Sequence, residues 1–172
     1  CSSDLSNAVA FDLTAACSGF LFALITASQF LKGGNFKRAL VIGADQLSSF
    51  VDWNDRTSCI LFGDGAGALA IEATNEFDNF IGFDMRTDGE RGCFLNLPSK
   101  NNKDSIIDDI NFLSGSFYPI QMNGQEVYKF AVKEVPIILK KLFRKTNYSS
   151  DQVDWLVLRS EEHTSELQSP MY

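Results

Sequence analysis

An α/β fold is what the amino-acid sequence predicts. Three features point to it. A strand-like run, Val9 to Leu13, passes through small residues into a helical run, Cys17 to Lys32. A second strand-like run, Ala39 to Gly43, follows closely, and another long helical run, Gln125 to Lys145, lies further on. A strand, helix and strand in such close succession predict a right-handed parallel crossover.

Taken in order, Val9-Ala-Phe-Asp-Leu13 reads as a short strand ending near Thr14. In the helix that follows, Phe20, Leu21, Leu24, Ala27, Phe30 and Leu31 occupy most of the circumference, which predicts a buried helix. Gly33-Gly34 supplies its stop, and Lys32 suits the negative end of the dipole. Ala39-Leu-Val-Ile-Gly43 is continuously apolar, as in a strand covered on both faces. Ser58–Phe62 and Ala66–Ala73 read as two strands joined at Gly63-Asp-Gly-Ala-Gly67, and Ile81–Arg86 as another. Thr87 to Tyr118 is rich in Asn, Asp, Ser and Gly, which predicts a long loop, with carboxylates such as Asp108-Asp109 solvated. In the second helix, Val127, Phe130, Ala131, Ile137, Ile138 and Leu142 form an apolar face, and Pro136 predicts a kink. Val153 to Leu158 begins a last strand.

The composition excludes several classes. A net charge of −7 and the absence of a long basic run argue against a nucleic-acid partner. The longest apolar stretch, Phe20 to Leu31, is interrupted by Thr26, Ser28 and Gln29 and is too short for a membrane span. Cys1, Cys17, Cys59 and Cys93 have neither paired nor metal-ligand spacing, which predicts free thiols and no metal site.

The two ends stand apart. The tail from Arg159 to Ser169 follows a strand-like run with no turn and has no apolar periodicity. It matches, residue by residue, the translation of a common sequencing-library adapter, and Cys1 to Leu5 match the translation of that adapter's reverse complement. Residues 1–5 and 159–172 are therefore expected to be adapter-derived and are set aside from the fold argument. The remaining segment, residues 6–158, has 14 basic and 18 acidic residues, a net charge of −4. It contains no histidine, because His163 lies in the tail.

Cys17 is the candidate for chemistry. It sits at a strand-to-helix turn, preceded by Thr14-Ala15-Ala16 and followed by Ser18-Gly19. Unpaired backbone N–H groups at a helix start favour thiolate over thiol and can stabilise an oxyanion. Small neighbours leave a carbonyl room to approach the sulfur. The competing reading is a small buried hydrophobe. Gly63-Asp-Gly-Ala-Gly67 lacks both the spacing and the Lys-Ser/Thr of a phosphate loop, and a strand follows it, so it reads as a tight strand connection.

Phe11-Asp-Leu-Thr-Ala-Ala-Cys-Ser-Gly-Phe20 resembles the nucleophile motif of the 3-oxoacyl-acyl-carrier-protein synthase III enzymes of the thiolase superfamily. The resemblance continues through Ala39-Leu-Val-Ile-Gly-Ala-Asp45, Asp52-Trp-Asn-Asp-Arg-Thr57 and Ile60-Leu-Phe-Gly-Asp-Gly-Ala-Gly-Ala68. It also covers Gln121-Met-Asn-Gly-Gln-Glu-Val-Tyr128 and Asp154-Trp-Leu-Val-Leu158, nearly the whole of residues 6–158 in the family's order. It implies a thiolase-like layered α-β-α-β-α fold that this chain covers only in part. Residues 6–73 would end the N-terminal half, and residues 74–158 would begin the C-terminal half.

The resemblance also implies roles. Cys17 would be the nucleophile, and Arg56 would stack on the adenine of coenzyme A, a task suited to a guanidinium. Leu61, Met122, Gly124 and Tyr128 would line the pantetheine tunnel, with core packing the alternative for Leu61, Met122 and Tyr128. Cys59 and Cys93 match no functional position. The family's catalytic histidine follows Asp-Trp-Leu-Val-Leu in a His-Gln-Ala-Asn motif, where this chain has Arg159, and a catalytic asparagine comes later still. His163 is not a substitute for that histidine.

The implied parent initiates fatty acid biosynthesis by condensing acetyl-CoA, or another short acyl-CoA, with malonyl-acyl-carrier protein. It needs no cofactor, acyl-CoA being a substrate, and acts as a homodimer in the bacterial cytoplasm or a plastid stroma. The 172-residue chain alone is expected to be inactive and to fold poorly. The alternatives are another thiolase-superfamily condensing enzyme and a non-catalytic binding domain that keeps the fold.

Overall fold

A computed structural model describes residues 7–75, 79–100 and 116–157. Its first unit is a helix on a two-stranded sheet. Helix α1 (Gly19–Lys32) leads into strand β1 (Arg38–Gln46), which pairs antiparallel with β2 (Asp64–Glu72). The register runs from Arg38 opposite Glu72 to Gln46 opposite Asp64. Ala39, Val41 and Gly43 share the face of β1 that meets α1, and Val41 is buried there. Gly43 allows a close approach, since a Cβ at this position would lie 3.1 Å from Cδ2 of Phe20. On the opposite face, Leu40 and Ile42 are 63% and 60% exposed.

A second, shorter sheet pairs β3 (Leu95–Asn96) with β4 (Gln121–Met122), and a bridge between Ser99 and Phe117 prolongs it. Helix α2 (Gly124–Thr146) starts immediately afterwards. Asn123 caps it by accepting a hydrogen bond from the backbone N–H of Glu126 at 3.3 Å, while its own N–H donates to the Phe94 carbonyl at 2.8 Å. At the far end, Asn147 adopts the left-handed conformation that terminates the helix. The first unit and the second sheet are tied at Phe50, whose carbonyl accepts from the N–H of Ile120 at 2.8 Å. Val51 and Ile120, on either side of that bond, are buried.

Residues 80–86 lie along the last turns of α2. Asp84, whose side chain is 4% exposed, pairs with Lys141 at 2.7 Å, and Lys145 donates to the Phe83 carbonyl at 3.2 Å. No helix among the described residues is long and apolar enough to cross a membrane.

Several expectations are corrected. Val9–Leu13 pairs with no strand among the described residues, so no parallel crossover precedes β1, and both observed strand pairs are antiparallel. Ser58–Phe62 forms turns, with the N–H groups of Ser58 and Cys59 donating to the Asp55 carbonyl and that of Leu61 to the Ser58 carbonyl. The segment Gly63–Gly67 is no strand connection: Asp64 opens β2, with Gly65 opposite Asp45 and Gly67 opposite Gly43. Ile81–Arg86 follows α2 as irregular backbone, and Val153–Val157 joins no sheet among the described residues. Within the expected loop Thr87–Tyr118, residues Gly89–Phe94 form a 3-10 helix and Leu95–Asn96 a strand. Helix α1 is only half covered, with Ser28 and Leu31 its buried residues and Leu21 exposed. Cys1, Asp108-Asp109, Leu158, Arg159, His163 and the segments 1–5 and 159–172 lie outside the described residues.

Candidate active site

Cys17 occupies the middle of a short 3-10 turn, Ala16–Ser18, that runs directly into α1. Its side chain is exposed. Immediately before it, Ala16 has φ of 45°, a left-handed conformation that a β-carbon disfavours. This turn redirects the chain from the extended residues before it into the helix. Ser18 makes no side-chain cap, and the N–H groups of Ser18 and Gly19 donate instead to the carbonyls of Ala15 and Ala16. The thiol lies at the start of α1, as expected, while the N–H groups of Ser18 and Gly19 are not the unpaired donors that the sequence suggested. Docking of Phe20 over Gly43 fixes the helix start relative to β1.

Arg56 is exposed in the loop between Val51 and β2. Two carboxylates organise that loop. Asp52 Oδ1 accepts from the N–H of Asn54 at 2.9 Å. Asp55 Oδ1 accepts from the N–H of Thr57 at 3.0 Å and from Thr57 Oγ1 at 2.6 Å, while its Oδ2 accepts from Ser58 Oγ at 2.8 Å. Hydrogen bonds from Thr57 and then Ser58 hold the Asp55 carboxyl below the ordinary aspartate range, against a small opposing effect of burial. At the loop's base, Asp64 accepts from the N–H and hydroxyl of Ser48 at 2.8 and 2.6 Å, and the hydroxyl bond is the larger cause of its lowered pKa.

Met122 lies in β4, Gly124 opens α2, and Tyr128 lies one turn further on the same helix face. A Cβ on Gly124 would be 3.5 Å from Cε of Met122, so these two positions adjoin. Leu61 is 40% exposed at the end of the Arg56 loop. The Phe50–Ile120 hydrogen bond brings the Arg56 loop and the β4–α2 junction to a common base. No hydrogen bond or ring contact links Cys17 to Arg56, Leu61, Met122, Gly124 or Tyr128 among the described residues. The sequence reading missed Asp55 and Asn123. Their signals were available, as Asp-x-Thr-Ser and Asn-x-x-Glu are patterns for side-chain capture of backbone N–H groups.

An exposed cysteine at the entry to α1, on this α/β frame, is compatible with the thiolase-like fold that the sequence resemblance implies. The comparisons agree. Residues 11–89 match the family described as 3-Oxoacyl-[acyl-carrier-protein (ACP)] synthase III. A β-ketoacyl-[acyl-carrier-protein] synthase III from Prochlorococcus marinus strain MIT 9215 is 92% identical over 153 residues, covering 89% of this chain and 46% of the relative. The homologue from strain MIT 9312 is 89% identical, over 88% of this chain and 45% of its own length. Among solved structures, a 3-oxoacyl-[acyl-carrier-protein] synthase III from Aquifex aeolicus superposes with a TM-score of 0.71 at 34% identity, covering 86% of this chain and 42% of that one. Over the residues compared, this chain is a homologue of 3-oxoacyl-acyl-carrier-protein synthase III enzymes. It spans about half the length of the curated relatives it matches.

Proposed function

We propose that the whole enzyme to which this sequence belongs condenses a short acyl-CoA with malonyl-acyl-carrier protein, the first condensation of fatty acid synthesis. The observation that carries the proposal is Cys17, exposed at the entry to α1 inside the family-matched residues 11–89. Its thiolate attacks the thioester carbonyl of acetyl-CoA. The tetrahedral oxyanion forms beside the positive end of the α1 dipole, which favours its charge. Collapse of that intermediate breaks the carbon–sulfur bond to coenzyme A, which leaves as the thiolate, and the acyl group stays on Cys17. Arg56 holds the nucleotide end, and Leu61, Met122, Gly124 and Tyr128 border the pantetheine arm.

In the second half-reaction, malonyl-acyl-carrier protein loses carbon dioxide and its thioester enolate attacks the acyl-cysteine. That step releases Cys17 and forms 3-oxoacyl-acyl-carrier protein. The donors for the enolate are the histidine and asparagine that the family resemblance supplies, and residues 6–158 contain no histidine. The 172-residue chain is accordingly proposed to lack condensing activity. Homodimerisation is part of the same proposal. Identity to Prochlorococcus relatives favours a bacterial cytoplasm over a plastid stroma.

The test is a condensation assay on the full-length enzyme with acetyl-CoA and malonyl-acyl-carrier protein. Acetoacetyl-acyl-carrier protein is expected as product. A strict requirement for acyl-acyl-carrier protein as primer, with acetyl-CoA inert, would instead identify a chain-elongating condensing enzyme.

A further inference from the structure

We propose that Asp55 is a positioning residue for Arg56, holding the nucleotide-binding loop in its binding geometry before the acyl-CoA arrives. The inference rests on the reading of Arg56 as a nucleotide contact. It adds a residue to which neither the sequence pattern nor the family resemblance assigned a role.

The loop from Val51 to Gly63 is built as a pinned arch. Its base is closed by the N–H of Leu47 donating to the Gly63 carbonyl at 3.4 Å and by the double hydrogen bond from Ser48 to Asp64. One foot is anchored by Val51, 8% exposed, and by the Phe50–Ile120 hydrogen bond. Between the feet the polar residues have no strand ladder to join. The backbone is instead folded around the second carboxylate. The Asp55 carbonyl accepts from the N–H groups of Ser58 and Cys59 at 3.3 and 3.0 Å, and its carboxylate takes the three bonds from Thr57 and Ser58. Ser58 is 2% exposed, so its hydroxyl roots the arch in the protein interior.

Arg56 stands between the carboxylate and the groups that the carboxylate binds. Its φ and ψ are bounded on one side by Asp55 and on the other by Thr57, and it is left exposed at the crest. A long cationic side chain on an unrestrained loop would have to be ordered on every binding event. Ordering one residue's backbone corresponds to about a five- to thirtyfold loss of affinity. Asp55 removes that loss in the folded protein, which is preorganisation of a binding loop.

The experiment compares two substrates in the full-length enzyme: acetyl-CoA, which has a nucleotide for Arg56 to hold, and acetyl-pantetheine, which has none. Asp55→Ala is expected to raise the KM for acetyl-CoA about tenfold and to change that for acetyl-pantetheine less than about twofold. Asp55→Asn keeps an acceptor for the N–H of Thr57 and should recover most of the difference. Thr57→Val, which removes a single donor, should raise the acetyl-CoA KM by about threefold and keeps the test open if the alanine variant fails to fold. Arg56→Ala serves as the reference and should show the same selectivity for the nucleotide. If Arg56→Ala is selective while Asp55→Ala and Thr57→Val affect both substrates equally or neither, the positioning role is overturned and the Arg56 reading stands. If Arg56→Ala is itself unselective, the Arg56 reading fails and the positioning role fails with it.

Discussion

The contact between Gly82 and the end of α2 sets up a sharp test of the packing described here. A Cβ at Gly82 would lie 2.7 Å from Cγ2 of Thr146. Carbon atoms rest at about 3.5–4.0 Å, so Gly82→Ala requires a displacement of roughly 1 Å. Neither side yields freely. Thr146 Oγ1 donates to the Leu142 carbonyl at 2.8 Å, which fixes the methyl group, and Asp84–Lys141 and Lys145–Phe83 hold residues 80–86 against the helix. Overpacking of this kind costs about 1–3 kcal/mol. The assay is thermal and denaturant unfolding of the full-length enzyme carrying Gly82→Ala, Thr146→Ser or both. Serine keeps the hydroxyl and deletes the methyl, so the double variant should recover at least half of the loss. A single Gly82→Ala variant within about 0.5 kcal/mol of wild type, or one that Thr146→Ser does not relieve, would refute the reasoning.

Three further outcomes follow from the same structure. Gly43→Val should push Phe20 off β1, lower the rate of Cys17 acylation and destabilise the fold by about 1–3 kcal/mol, measured by acylation kinetics beside unfolding. Asp55, Asp64, Asp84 and Asp151 all have pKa values lowered by hydrogen bonds, led by those from Thr57, Ser48, Lys141 and Ser149 respectively. Lowered carboxylate values stabilise the folded state fully above the unfolded value near 3.8, and that contribution is lost as pH falls through the folded values. Unfolding midpoints should therefore be flat from neutrality to about pH 5 and drop below pH 4, which a pH series of melts will show. The 172-residue chain expressed alone should aggregate, because Leu40, Ile42, Ile60 and Trp53 are exposed while its buried apolar residues, among those described, are Leu31, Val41, Val51 and Ile120; a soluble, cooperatively melting chain would contradict this.

The sequence was most legible where structure is local. Helices α1 and α2 fall close to their predicted spans because periodicity, Gly33 and Asn147 act within a few residues. Strands β1 and β2 were visible as apolar or small-residue runs, but their pairing was not. An apolar run shows that a strand is suited to burial and leaves open which neighbour completes its ladder. Val9–Leu13 and Ile81–Arg86 illustrate this, as residues that join no strand ladder among the described residues. The glycines at 65 and 67 were misjudged for a related reason. They read as turn formers, yet in β2 they sit opposite Asp45 and Gly43.

At the candidate site, Cys17 was legible from its small neighbours and from its position before a helix. The turn that carries it was not, since the φ of 45° at Ala16 is imposed by the path of the chain and no glycine marks it. Arg56 entered through the family resemblance alone, whereas the Asp55 network beside it emerged only with the geometry.

Acylation of Cys17 is the point on which the account turns, and it can be measured directly. The full-length enzyme is incubated with labelled acetyl-CoA in the absence of malonyl-acyl-carrier protein, quenched, digested and mapped by mass spectrometry. One acetyl group per chain is expected, on the peptide containing Cys17, and none after Cys17→Ala. Label on Cys59 or Cys93, or undiminished labelling of the Cys17→Ala variant, would contradict it.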